Sequence, residues 1–165
     1  MKNTILLAIA GILFTGSAFA NDYKIAGLVI NHPVARATPV NAPVSGGYMT
    51  ITNNGTEADR LIGAVAEFAG EVQIHEMSMQ GDVMKMRQLE NGLEIPAGKQ
   101  VMLQPGGLHI MFMKLENQLV EGEKYDATLI FEKAGPIDVT LNVESLMTIK
   151  KGLDGGEMKM EHQNH

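Results

Sequence analysis

Residues 71–79, EVQIHEMSM, run through Gln80-Gly81-Asp82 into residues 83–89, VMKMRQL. The polar turn between two short alternating runs predicts a β-hairpin. In a strand, successive side chains point to opposite faces. His75, Met77 and Met79 therefore share one face of the first strand, and Met84 and Met86 share one face of the second.

The same period recurs outward from this hairpin. Residues 23–31 are β-branched and apolar with no helical spacing. Residues 48–53 end at Asn53-Asn54-Gly55, a turn signal, and a strand over 60–66 follows. Asn91-Gly92 and Pro96-Ala97-Gly98 break the chain before a short strand at 99–103. Pro105-Gly106-Gly107 then leads into residues 108–115, where His109, Met111 and Met113 share one face and Ile110 and Phe112 the other. The last strands are 125–132 and 137–143, joined through Ala134-Gly135-Pro136. Eight or nine short strands at regular spacing predict a single all-β domain, a β-sandwich or barrel, over residues 21–149. Residues 150–165 lack apolar periodicity and read as a flexible tail.

The N-terminus reads as a cleaved signal peptide over residues 1–20: Lys2, an apolar run from Ile5 to Phe14, and Ala18-Phe19-Ala20 as a cleavage site. The apolar run is shorter than the ~20 residues needed to span a bilayer. The expected product is a soluble periplasmic protein. The chain of 165 residues less this 20-residue leader leaves 145, enough for one real core. The formal net charge of −6 becomes −7 without Lys2. That balance argues against nucleic acid and anionic membrane surfaces as partners.

There is no cysteine, and of twelve methionines seven fall between residues 77 and 113. Thioether sulfur is a soft, uncharged donor suited to Cu(I) and poor for Zn(II), Mg(II) or Ca(II), and imidazole adds a stronger donor. Two strands each offering His-x-Met on one face, with methionines on a third strand, point to a Cu(I) site. A blue-copper electron-transfer centre is excluded, because it needs a Cys ligand. Methionine on strands also fills gaps in cores, and Met49, Met102, Met113 and Met147 read that way. His32, before Pro33, reads as structural or solvated. Glu76 and Asp82 read as solvated charges near the site. The chain has no G-x-S-x-G, no H-E-x-x-H and no phosphate loop, so no enzyme is expected.

These residues resemble a known family. His75-Glu76-Met77, Val83-Met84-Lys85-Met86-Arg87 and Pro105-Gly106-Gly107-Leu108-His109-Ile110-Met111 are similar to the metal motif of periplasmic PCu(A)C-type copper chaperones. The similarity continues through Ala35-Arg36-Ala37-Thr38-Pro39, residues 47–53, Asp59-Arg60-Leu61 and residues 129–132, and spans about 24–143. The resemblance implies a cupredoxin-like β-sandwich with an exposed Cu(I) site. It implies His75, Met86, His109 and Met111 as ligands. Here 22 residues separate Met86 from His109, one more than the family pattern. Met84 shares the face of Met86, so alternation leaves it, and Met77, as further candidates. A copper-accepting protein is the implied partner, in respiratory oxidase assembly: a cytochrome oxidase subunit or a Sco-type thioredoxin-like protein.

In the tail, Met158, Met160, His162 and His165 form an auxiliary candidate site, for capture of copper or for Cu(II) through imidazole. The competing function is an exported, metal-free sandwich that binds a protein partner, in which Met77, Met86 and Met111 would be buried packing residues. A metallo-enzyme ranks third, since it would need an open coordination position and a nearby acid or base.

Overall fold

The computed structural model describes residues 22–160. The expected leader, His162 and His165 lie outside the described residues. Eleven strands follow in chain order: β1 (Tyr23–Ile25), β2 (Leu28–Arg36), β3 (Val44–Asn53), β4 (Asp59–Val65), β5 (Ala69–Gln80), β6 (Val83–Gln88), β7 (Leu93–Ile95), β8 (Gln100–Leu103), β9 (Leu108–Leu115), β10 (Lys124–Phe131) and β11 (Gly135–Glu144). A helix, α1 (Leu146–Met160), closes the described chain. The strands form one hydrogen-bonded path in the order β6-β5-β9-β3-β2-β11-β10-β4-β7, with β1 on β2 and β8 on β3. All pairs are antiparallel except β11 with β2. The architecture is the expected all-β, cupredoxin-like sandwich.

Alternation builds the core. Along β9, Ile110 and Phe112 point inward and are fully buried, as are Leu129 and Phe131 on β10 and Leu141 on β11. Leu28 and Ile30 of β2 and Ile51 of β3 join them in one cluster. Gly47 on β3 lets β9 approach: a Cβ there would lie 2.7 Å from the Phe112 ring.

Two expectations need correction. The single strand over 23–31 is a hairpin, β1 and β2, because Ala26 and Gly27 both take positive φ (52° and 83°) between the paired Ile25 and Leu28. Leu93–Ile95 is an additional short strand, β7, paired with β4. Helix α1 runs as far as Met160, into the segment expected as a flexible tail, residues 150–165. Ser145 caps that helix: the Thr148 amide donates to Ser145 Oγ at 3.3 Å. Leu146, Ile149 and Leu153 follow at helical spacing, and Ile149 and Leu153 pack on Val34 and Tyr48. Gly152, Gly155 and Gly156 weaken intrinsic helix propensity there, and docking of this short apolar stripe overrides it. Met147, expected as packing, is 76% exposed on α1, whereas Met49 is buried in the core. His32, expected as structural or solvated, sits at φ 48° in a β2 irregularity, half exposed, with Nε2 3.1 Å from Glu144 Oε1.

Candidate metal centre

The expected hairpin forms as β5–β6, and β9 lies on the other side of β5. Register then decides which donors meet. His75 stands opposite His109, and Gln73 opposite Met111. Met77 stands opposite Met86, and Met79 opposite Met84. The two imidazole centroids are 5.7 Å apart with ring planes at 55°. One ion can bridge that gap with metal–nitrogen bonds of about 2 Å.

A groove of about 500 Å³ opens beside the rings, lined by Met77, Met86, His109 and Met111 and walled by Tyr48 and Leu146. Gly46, opposite Met111 on β3, keeps this wall open; a Cβ there would collide with the Tyr48 hydroxyl. His75 does not line the groove; it stands beside His109 on the neighbouring strand β5. Met84 is also off the groove, half exposed one register pair further out. Of the candidates left open by alternation, Met86 and Met77 therefore face the groove and Met84 does not. In the C-terminal candidate site, Met158 and Met160 fall in α1.

Hydrogen bonds fix both imidazole tautomers. His109 Nδ1 lies 3.0 Å from the Gly107 carbonyl, which can only accept, so Nδ1 carries the proton and Nε2 keeps its lone pair. His75 Nε2 lies 2.7 Å from Gln73 Oε1. The Gln73 amide is oriented by Glu71, whose Oε1 accepts from Gln73 Nε2 at 2.6 Å. His75 therefore donates from Nε2 and holds its lone pair at Nδ1. That Nδ1 is buried and has no hydrogen-bond partner among the described residues. A buried acceptor without a partner is costly in a packed fold, and a soft cation is a partner that fits it. Burial, and then the neighbouring His109, hold the His75 ring below its usual pKa, which favours the neutral form that binds metal.

The support continues behind His75. Lys114 Nζ lies 3.0 Å from Glu71 Oε2. Hydrogen bonds from Lys114 and then from Gln73, with the Lys114 charge, hold the Glu71 carboxyl below its ordinary range. Lys114, Glu71 and Gln73 thus form a relay that orients the His75 ring. The sequence reading missed this relay, although residues 71 and 73 share the face of His75 by simple alternation. It also missed Tyr48 in the groove wall. Burial pushes the Tyr48 phenol up against the opposing pull of the Arg36 charge, so it stays neutral. Among the described residues no group of three or more His, Asp or Glu side chains could hold an ion.

Comparisons with known proteins bear on the family and the fold. The LpqE-like lipoprotein family model matches residues 28–143. A curated relative from Leifsonia xyli subsp. xyli (strain CTCB07), named as lipoprotein Lxx21020, is 29% identical over 112 residues, 68% of each chain. The copper-bound PCuAC domain from PmoF2 superposes with a TM-score of 0.65 at 26% identity, covering 76% of this chain and 98% of that one. The apo PCuAC domain from PmoF1 gives 0.65 at 25% identity, covering 76% and 99%. The solution structure of CuI-DR1885 from Deinococcus radiodurans gives 0.55 at 26% identity, covering 78% and 83%. From the span of the family match and from these structural neighbours, the chain belongs to the LpqE-like, PCuAC-type family.

Proposed function

We propose that this protein is an exported copper carrier, which holds Cu(I) through His75, Met86, His109 and Met111 and passes it to an acceptor protein. The observation that carries this reading is the paired imidazoles across β5 and β9. Each has a free lone pair, at Nδ1 of His75 and Nε2 of His109, and the groove beside them is lined by Met86 and Met111. The structural neighbours described as copper-bound and CuI support the choice of metal.

The chemistry is ligand exchange. Two neutral imidazoles and two thioethers leave the ion its single positive charge. The site is open at the groove, so an acceptor's donors can replace these ligands one at a time while copper stays Cu(I). Transfer to a thiolate-rich acceptor runs downhill, because thiolate is the stronger soft donor. The protein acts here as a carrier, not a catalyst. The acceptor is a protein of respiratory oxidase assembly, a cytochrome oxidase subunit or a Sco-type protein. The compartment is the periplasm, a reading supported by the leader-like N-terminus and by the relative named as a lipoprotein. No helix among the described residues is long and apolar enough to cross a membrane.

The metal-free reading required Met77, Met86 and Met111 to be buried packing residues. Met86 is 46% exposed, and all three line the open groove. Anaerobic Cu(I) titration against a competing chelator is the test. His75→Ala and Met111→Ala are expected to weaken Cu(I) by about 100-fold or more, beyond the effect of losing a supporting residue, with the fold retained by circular dichroism. Full affinity in both variants would sink the assignment.

A further inference from the structure

The β5–β6 hairpin carries its methionines past the groove. Met79 pairs with Met84 one step beyond the Met77–Met86 pair, so four thioethers stand in two successive pairs on one face. The opposite face holds Glu76, Ser78, Gln80, Lys85 and Arg87. There Arg87 donates to Glu76 Oε2 from Nε at 3.0 Å and from a terminal nitrogen at 2.7 Å. No such contact accounts for the outer methionines. Met79 is 61% exposed and Met84 50%. β6 is an edge strand exposed along its whole length, a setting in which polar and charged side chains are the usual choice. Two long thioethers placed opposite one another at its tip fill no core.

We propose that Met79 and Met84 form a second, two-thioether Cu(I) site at the hairpin tip, from which the ion passes inward over Met77 and Met86 to the histidines. Binding at the tip stands on its own, and the inward direction rests on the copper-carrier reading above. Directly opposed strand positions have Cβ atoms about 4.5–5.5 Å apart. The three rotatable bonds of methionine let both sulfurs reach one ion. Thioethers without imidazole hold Cu(I) less tightly than the four-donor set, so the free-energy step runs inward. Successive pairs on the face are two residues apart, about 6.8 Å along the strand. Met77 lines the groove and also neighbours the outer pair, so it supplies the intermediate donor. Each move exchanges one neutral sulfur for another. Copper stays Cu(I), no electron is transferred and no proton is released.

The test is anaerobic Cu(I) titration of the mature protein labelled with ¹³C at the methionine methyl groups. The first equivalent is expected to shift the Met86 and Met111 methyls, and the second those of Met79 and Met84. A Met79→Leu/Met84→Leu double variant keeps the apolar surface and removes only the donors. It is expected to lose the second equivalent, to keep the first, and to load more slowly from a weak Cu(I) donor. Met79 and Met84 methyls that stay fixed through two equivalents would overturn the proposal. So would a second equivalent that survives in the double variant and shifts Met158 and Met160 instead. If the first equivalent left Met86 and Met111 unmoved, the four-donor reading would fail, while the tip would still be judged by its own two signals.

Discussion

Strand β3 joins two ends of the sandwich that treat buried polar atoms in opposite ways. Gly46 sits beside the donor groove, and Asn53 lies seven residues on, roughly 24 Å along an extended strand. At the Asn53 end every such group is matched. Asn53 Nδ2 donates to the Glu57 carbonyl at 2.8 Å and to the Ile95 carbonyl at 3.0 Å, and Oδ1 accepts from the Gly55 amide at 2.9 Å. Asp59 accepts from the amides of Arg60, Lys133 and Ala134 at 2.7, 2.9 and 3.0 Å. At the groove end, His75 is held by Gln73, yet its other ring nitrogen has no partner among the described residues. Polar atoms closed on one another hold a fold together. A polar atom oriented but left unpaired costs stability unless a ligand meets it.

This contrast predicts which changes affect stability and which affect metal. Asn53→Ala removes three hydrogen bonds and strands their partners, at about 1 kcal/mol each. It should cost about 3 kcal/mol in urea unfolding and leave Cu(I) affinity unchanged; a matching fall in affinity would mean the two ends are coupled. Asp59→Ala should cost about 2 kcal/mol by leaving amides unpaired, and it carries a pH signature. Burial pushes the Asp59 carboxyl up, but the amides of Lys133, Arg60 and Ala134, helped by the Lys133 charge, outweigh it and hold the pKa low. A depressed carboxylate contributes stability above its unfolded value, near 4, and loses it as pH falls through the lower folded value. Acid unfolding below about pH 4 should therefore flatten in Asp59→Ala relative to the parent protein.

Gln73→Leu probes the other end. It should weaken Cu(I) about tenfold, roughly 1.4 kcal/mol, by freeing the His75 ring. Gln73→Glu keeps the acceptor for His75 but sets a second carboxylate against Glu71, so it should recover only part of that loss. An effect of Gln73→Leu on stability alone would make the relay structural. The smallest effect is expected from Arg87→Ala on the polar face of the hairpin. That pair is exposed, so its loss should move unfolding by less than about 0.5 kcal/mol.

Much of this was legible in the sequence, and the reasons differ by element. β9 occupies the expected residues, Leu108–Leu115, because its alternation holds from Leu108 to Met113 and Pro105-Gly106-Gly107 marks its start. The β5–β6 hairpin was legible from Gln80-Gly81-Asp82. The β1–β2 turn was not, because Ala26 in a left-handed conformation leaves no compositional mark. Helix α1 was obscured by its glycines, although Ser145 and the Leu146, Ile149, Leu153 spacing were available to read. Alternation placed the histidines and methionines on shared faces. It gave no register, and only register separates Met86, at the groove, from Met84, at the tip.

The pairing of β5 with β9 also sets an order of events. His75 and Met111 come from strands separated in the chain by β6, β7 and β8, so closing that pairing carries the entropy of a long loop. The hairpin thioethers can come together locally, but the second imidazole arrives only when β9 docks. On the proposed copper-carrier reading, copper would therefore not nucleate this fold in the way zinc organises a finger domain. It would bind after the sheet has closed, since a chain that has not finished folding lacks the paired imidazoles.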